Sequence, residues 1–460
     1  MKYIGIDLGS SFIKAVLIDI DKARIIDQSN EPAPRKIQNP NKLVFEIPAL
    51  KLVNIVKSLI DHYTRQYPDI TGIVISSQMH GFIYSAEGRE DVYISWQDMR
   101  CLDRIPGTAQ TYLDFLTSKI SPSQMENTGV YLKPSLAICN LYTLLRENKD
   151  ISRKGTLYSL GSYIIYSLCG NNFVHIQNAA PMGIADVKNG SINHELLRKL
   201  DLDEIELPKI TDGDYVVCGD YQSNGCRIQI FPDYGDMQMA IAGCNVGTGD
   251  VIVNTSTGSQ VMRFAQSFVP GEYEIRPFFD HSYLYTISNM PAGRNLAVLI
   301  DFFREIVKDL TGEDVNVQKI WEIIHAGHQE PDADLRVKPD FYKNPYFPNG
   351  GSITGITQNN LHISTLFAAS IDDMAHTYWK FIQKLGEEEK NIKRIICAGG
   401  VNWRTPELCK AIGNVSGKPW VLSPVKNEAV LGLLRIALIC SEKYASLAEC
   451  VENIPEIEVN

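Results

Sequence analysis

Tyr3-Ile4-Gly5-Ile6-Asp7-Leu8-Gly9-Ser10-Ser11 is the stretch whose reading decides how this chain folds. Tyr3, Ile4, Ile6 and Leu8 read as a strand, Gly9-Ser10-Ser11 breaks it, and Phe12, Ile13, Ala15, Val16, Leu17 and Ile18 resume it. Small residues between two apolar runs predict a tight β-hairpin. Beyond a Pro- and Asn-containing surface stretch (Glu31 to Asn41), Leu52, Val53, Val56, Leu59, Ile60 and Tyr63 fall at helical spacing. The apolar run Gly72-Ile73-Val74-Ile75 then enters the polar turn Ser76-Ser77-Gln78.

The same order recurs half a chain later. Val251-Ile252-Val253, the turn Ser256-Thr257-Gly258-Ser259 and Val261-Met262 form a second strand–turn–strand. Phe367, Ile371, Met374, Tyr378 and Phe381 share one helical face, and Arg394-Ile395-Ile396-Cys397 runs into Ala398-Gly399-Gly400. This predicts a duplicated α/β domain whose boundary lies in the segment Gly243 to Gly249, giving units 1–245 and 246–460. One Gly-Ser-Ser turn is an ordinary hairpin. Three such turns at matching places would each offer backbone N–H groups at a strand end, which is what phosphate oxygens need.

A chain of 460 residues exceeds one compact core, which agrees with two domains. Its hydrophobic fraction of 44% and charged fraction of 21% are those of a soluble globular protein. The net charge of −10 argues against a nucleic-acid partner. No apolar run reaches the roughly 20 residues that span a bilayer, and Asp7 stands where a signal peptide would need apolar residues. No membrane association is therefore expected. The ten cysteines show no C-x-x-C spacing, so free thiols in a cytoplasmic protein are expected.

Tyr3 to Ser11 resembles the first phosphate loop of the actin-like ATPase superfamily. The run Ser76-Ser77-Gln78-Met79-His80-Gly81 is similar to the "S-G-Q-M-H-G" of the FGGY carbohydrate kinases, and Trp96-Gln97-Asp98-Met99-Arg100-Cys101 to their "W-Q-D-x-R-C". Val217-Cys218-Gly219-Asp220-Tyr221-Gln222 resembles the family's "G-D" base motif, Asn254 to Ser259 the second phosphate loop, and Cys397 to Asn402 the adenosine-side "G-G-G". Asn427-Glu428-Ala429-Val430-Leu431-Gly432 resembles the "E-x-x-A-x-G" helix, taken as structural. Asn140 stands where the family has a Lys.

The resemblance implies two actin-like (ribonuclease H-like) domains facing each other across a cleft, and ATP- and Mg²⁺-dependent phosphorylation of a small sugar. It implies Asp220 as the catalytic base, with Asp7 and Asp220 on the metal side. Sugar contacts are implied for Gln78, Met79, His80, Trp96, Asp98, Arg100, Asp220 and Tyr221. Nucleotide contacts are implied for Gly9, Ser10, Ser11, Ser256, Thr257, Gly258, Gly399, Gly400 and Asn402. For Arg100 a purely structural ion pair with Asp98 is an open alternative, and a homodimer is compatible with the sequence. Gln177-Asn178-Ala179-Ala180-Pro181-Met182-Gly183 and Gly219 to Ser223 tilt the resemblance toward a seven-carbon ketose, with a five-carbon ketose second. The reading from another class is a non-catalytic actin-fold protein that binds nucleotide and moves.

Overall fold

The computed structural model describes residues 1–327, 334–344 and 346–456. Strands β1 (Lys2–Leu8), β2 (Phe12–Asp19), β3 (Arg24–Pro32), β4 (Ile70–Ser77), β5 (Gly219–Ser223) and β6 (Cys226–Gly235) form one sheet in the order β5-β6-β4-β1-β2-β3. β1 runs antiparallel to β2, with Leu8 opposite Ile13, and parallel to β4, which in turn is parallel to β6. Strands β7 (Asp250–Thr255), β8 (Ser259–Ala265), β9 (Glu274–Pro277), β10 (Tyr283–Met290), β11 (Arg394–Ala398) and β12 (Trp420–Leu422) form a second sheet, ordered β9-β10-β8-β7-β11-β12. Here β7 is antiparallel to β8 and parallel to β11, and β11 is parallel to β12. The two sheets therefore repeat one plan, an antiparallel trio followed by two parallel strands. The first sheet's strands all precede residue 245, and the second sheet's all follow it.

β1 is buried on both faces, so its alternation divides residues between two cores. Ile4, Ile6 and Leu8 pack with Leu52, Val56, Leu59 and Ile60 of helix α1 (Ala49–Gln66). Tyr3 faces the opposite side, with Val16, Val74 and Phe231. That second core is continuous with Ile252, Met262, Leu284 and Ile396 of the other sheet. Two helices fill the space between: α2 (Asp236–Ala242), which leaves β6, and a helix near the C-terminus, Glu428–Cys440. On the far side of the second sheet, Phe367, Ile371, Met374, Tyr378 and Phe381 of α3 (Ile363–Ile382) cover Val251, Val253 and Val261. The helix Glu428–Cys440 is α4.

A third sheet is inserted in the first half. Glu46–Pro48, Val92–Ile94, Phe82–Ser85 and Thr156–Tyr158 pair in that order. It carries the loops that hold His80 and Trp96, and its core includes helices Ala137–Glu147 and Ile176–Met182. All ten cysteines are free thiols. Among the described residues, no helix is long and apolar enough to cross a membrane.

α2 and α4 cross at van der Waals limits. A Cβ on Gly432 would stand 1.9 Å from the Met239 carbonyl oxygen, and one on Gly243 would stand 2.1 Å from the Glu428 carbonyl oxygen. Neither obstacle is a flexible side-chain tip, so the helices themselves would have to separate. Gly432→Ala is expected to cost about 3 kcal/mol of stability through overpacking. Gly213→Ala, whose nearest neighbour is 3.5 Å away, should cost less than about 0.5 kcal/mol. Denaturant unfolding of the two variants compares them, and equal midpoints would contradict this packing.

Candidate active site

The turns Gly9-Ser10-Ser11 and Ser256-Thr257-Gly258 occupy equivalent places, each joining the first two strands of its sheet. In the second sheet β11 ends beside the turn, with Asn254 paired to Ala398. Gly399 has φ +87°, and a Cβ there would lie 2.5 Å from the Thr255 carbonyl oxygen and 2.8 Å from Ser256 Oγ. Only glycine fits that approach. Its amide donates to Glu428 Oε1 (2.9 Å), which also accepts from Ser423 Oγ (2.7 Å), so the first residue of α4 fixes the loop. Ser256, Thr257, Gly293, Arg294, Val401 and Arg404 are among the residues lining a cleft of about 390 Å³, a volume within the usual range of small-molecule sites. Asn402 takes no part in that lining. It is buried, and its amide donates to Val253 O (3.0 Å) and Ala398 O (2.7 Å), which makes it a strut between β7 and β11.

At the corresponding edge of the first sheet stand two carboxylates. Asp7 accepts from Ser76 Oγ at 3.2 Å, and burial raises its pKa against the opposing charge of Lys14. Asp236 opens α2 directly after β6, and the Met237 amide donates to its Oδ1 at 2.8 Å. Burial pushes Asp236 up to about 7, and the charge of Asp7 adds to the rise. Mg²⁺ takes few carboxylates and keeps several waters, and two acids beside a phosphate turn suit it. Among the described residues, no cluster of three or more His, Cys, Asp and Glu is placed to hold a metal.

Arg276, whose charge acts on Asp236, links this pair to His80, which has φ +69°, a region where a non-glycine residue is strained. Burial holds its pKa well below the ordinary value, with the charges of Lys133 and Arg276 adding to the effect, so the ring is neutral. Arg276 Nη2 lies 3.3 Å from His80 Nε2. Because a guanidinium can only donate, that partner assigns Nε2 as acceptor and puts the ring proton on Nδ1. His80 Nδ1 is buried and makes no well-formed hydrogen bond, although the ring feels the Pro181 backbone. Gln78 donates to Leu8 O at 3.0 Å, tying this loop to the first phosphate turn. Gln177 Oε1 accepts from the Gly235 amide (3.2 Å), and Gln238 Nε2 donates to Pro277 O (3.0 Å). The other ends of both amides, Gln177 Nε2 and Gln238 Oε1, are buried without partners, and Tyr93 OH makes no well-formed hydrogen bond beside the Trp96 backbone. Met79 Sδ would be 2.9 Å from a Cβ on Gly235, and Tyr93 feels the charge of Asp236. Unpaired buried polar atoms are rare in native proteins. Several gathered around one carboxylate are what a site for a hydroxyl-rich ligand offers.

Not every expected residue joins this group. Asp98 Oδ1 accepts from the Arg100 amide (3.0 Å) and Nε (2.8 Å), while Oδ2 accepts from Phe45 N (2.7 Å) and Arg100 Nη2 (2.7 Å). Arg100 also donates to Glu46 (2.8 Å). Asp98 is fully buried with both oxygens doubly engaged, so the Asp98–Arg100 pair braces the loop and leaves nothing for a sugar. Asn140 supports it by donating to Asp98 O and Pro134 O. Trp96 is 41% exposed and free to face a ligand.

Asp220 and Tyr221 lie elsewhere. Asp220 stands on the edge strand β5 opposite Gln229, ion-paired with Arg227 at 2.7 Å. Its neighbours include Met1, Tyr3 and Thr71, at the start of β1 and β4. At roughly 3.3 Å per residue, the run of β6 from Gln229 to Asp236 separates the two carboxylates by about 20 Å. Asp220, expected as the base and on the metal side, therefore does not stand where that role would need it: the acid beside Asp7 is Asp236. The sequence holds two Gly-Asp-x-Gln stretches, Gly219 to Gln222 and Gly235 to Gln238. The second follows the alternating Ile228, Ile230 and Phe231 and opens a helix, and that strand-to-helix passage is the signal to weigh.

Two sheets of this plan, duplicated about a helical pair, are the two-domain actin-like fold. The profile of the FGGY family of carbohydrate kinases, N-terminal domain, matches residues 2–230. The chain belongs to this family. It is 25% identical over 215 residues to the xylulose kinase of Staphylococcus xylosus; the match spans 45% of this chain and 42% of that enzyme's length. The ligand-bound xylulose kinase of Lactobacillus acidophilus shares the fold with a TM-score of 0.81 at 20% identity, over 98% of this chain and 91% of that one. Glycerol kinase of Plasmodium falciparum, solved with ADP, does so with a TM-score of 0.82 at 17% identity, over 100% and 93%.

The environment of Asp236 makes stability depend on pH. Asp7 and Arg276 are the charged groups facing it and Tyr93 the further titratable one. A folded pKa near 7, above the ordinary carboxylate value, means the folded chain binds this proton more tightly than the unfolded chain. Its contribution is intact below about pH 4 and is lost as pH rises through 7. Asp236→Asn should thus gain stability over the parent at pH 8 and much less at pH 5. Melting curves at both pH values test this, and a pH-independent difference would refute it.

Proposed function

We propose that this protein transfers the γ-phosphoryl group of ATP to a hydroxyl of a small ketose, with Asp236 as the general base. The observation that carries the reading is the Asp7–Asp236 pair set between a phosphate turn and the unpaired polar atoms around His80. Mg²⁺-bound ATP supplies the phosphoryl group and neutralises charge as it transfers. The chain's part is alignment. The backbone of Gly9-Ser10-Ser11 and Ser256-Thr257-Gly258 holds phosphates, and the close approach at Gly399-Gly400 with the cleft beside Gly293 and Val401 takes the nucleoside. Asp7 holds the metal through water. His80 Nδ1–H donates to an acceptor oxygen, while Gln177 and Gln238 offer one donor and one acceptor more.

Asp236 accepts the proton of the attacking hydroxyl. A base poised near neutral pH suits that work, because it is ionised when needed and still basic enough to take a proton. Units 1–245 and 246–460 are proposed to close on the sugar, which would exclude water competing for the phosphoryl group. The seven-carbon ketose leads and the five-carbon ketose follows, in line with the Gln177 to Gly183 run and with the xylulose kinase relatives respectively.

Nucleotide turnover with Mg²⁺ across a panel of ketoses, polyols and aldonates tests the reaction. A ketose should stimulate turnover. Asp236→Asn should lower turnover on the best sugar roughly 10²–10⁴-fold, while Asp220→Asn should change it by less than about twofold. Undiminished turnover in Asp236→Asn, or collapse in Asp220→Asn, would overturn the assignment.

A further inference from the structure

The second half of the chain also reaches the acceptor side, through Arg276 on β9. This residue is only 3% exposed. Its Nη2 donates to Glu274 Oε2 at 2.6 Å and lies beside His80, yet Nε and Nη1 have no partner. A buried guanidinium that serves only as half of an ion pair frequently engages its carboxylate with two parallel bonds. Here it does not, because Glu274 gives its other oxygen to Lys133 at 2.7 Å. Two buried nitrogens of a cation, with three N–H groups between them, are left open next to His80, and leaving such donors unmet is costly.

The first unit holds this strand in place. The Ile275 amide donates to Gly129 O at 2.8 Å, and Tyr131 OH donates to Gly271 O (2.8 Å) and Tyr273 O (3.0 Å). Gly129 has φ +70°, and a Cβ there would meet the Ile275 carbonyl oxygen at 2.3 Å. Arg276 is thus docked against the first unit before any ligand arrives. Burial works against the charge on Glu274, but Arg276 and Lys133 hold its carboxyl far below the usual range, so the group stays anionic and anchors both cations.

We propose that Arg276 is an acceptor-binding residue: its free Nε and Nη1 donate to oxygen atoms of the polyhydroxy acceptor held at His80, and the Glu274–Lys133 pair fixes the guanidinium for that purpose. This rests on the sugar-phosphorylating reading of the site and adds a specificity residue to it from the other half of the chain. Because the strand is already docked, the acceptor binds without nucleotide.

The test is calorimetric titration of the full chain with the best sugar of the panel, without nucleotide, alongside steady-state kinetics. Charge-assisted hydrogen bonds predict that Arg276→Met weakens sugar binding about 10–100-fold, with the KM for nucleotide within about twofold of the parent. Arg276→Lys, which keeps the charge opposite Glu274 but lacks Nε and the planar fork, should bind sugar at least about fivefold more weakly; it carries the test if the Met variant does not fold. Sugar affinity within twofold of the parent in a folded variant overturns the proposal. So does a nucleotide KM that rises in step with the sugar KM, since that reports general disruption. Turnover by Asp236→Asn bears on the base alone and leaves the binding readout intact. If no sugar of the panel binds the parent chain, the reading of the site and this proposal fall together.

Discussion

The site depends on the crossing of α2 and α4. Gly243 and Gly432 let the two helices approach with backbone against backbone, and no side chain could be interposed. Arg435 locks the crossing from within. It is fully buried, and its guanidinium donates to Ala242 O at the end of α2 (2.7 Å) and to Ile454 O (2.7 Å). Burial lowers its pKa only to about 10, so it stays charged at neutral pH among carbonyl oxygens and the Asn245 side chain. The consequence reaches the chemistry directly. α2 begins with Asp236 and α4 with Glu428, the residue that holds the Gly399 amide. One helix pair therefore sets both the acid beside the acceptor and the glycine beside the nucleotide cleft.

Where backbone periodicity governed, the fold was legible. The β1 alternation, the turn at Gly9, the helical face of α1 and their second copy from Val251 onward were all readable, because burial on two faces forces a period of two and one-sided burial a period near 3.6. The inserted third sheet escaped such reading. Its strands are three or four residues long and mostly far apart in sequence, and pairs such as Phe82 with Ile94 depend on tertiary contacts that no local pattern reports.

The site was legible in part for the same reason. Ser76 to His80 announced itself because it continues a buried strand into a polar turn. Asp220 misled because Gly-Asp-x-Gln describes a spacing and not an address. The motif at Gly219 begins an edge strand, and the one at Gly235 ends an inner strand. Only the direction of the strand tells which end faces the phosphate turns. Asp98 shows a related ambiguity: a carboxylate followed two residues later by arginine can wait for a ligand or be consumed by its neighbour. Here the Phe45 amide and Arg100 consume it. Arg276 and Glu274 gave no signal at all, because their partners Lys133 and His80 come from the other half of the chain.

The polar groups that remain open set the final constraint. His80 is strained, Asp236 sits next to a second acid, and buried atoms of Gln177, Gln238 and Arg276 lack partners. Each of these lowers the stability of the chain. They are tolerated because the surrounding structure is over-determined: Gln78 is tied to Leu8, Gly235 to Gln177, and β9 to the Gly129–Tyr131 loop. A ligand that satisfies these atoms recovers hydrogen bonds without first having to organise them. Rigid donors and acceptors around a mobile ligand also favour the acceptor whose oxygens match all of them, since a missing hydroxyl leaves a buried partner unmet. Specificity and the cost to stability thus have one origin in this site, the preparation of polar atoms for a substrate before it binds.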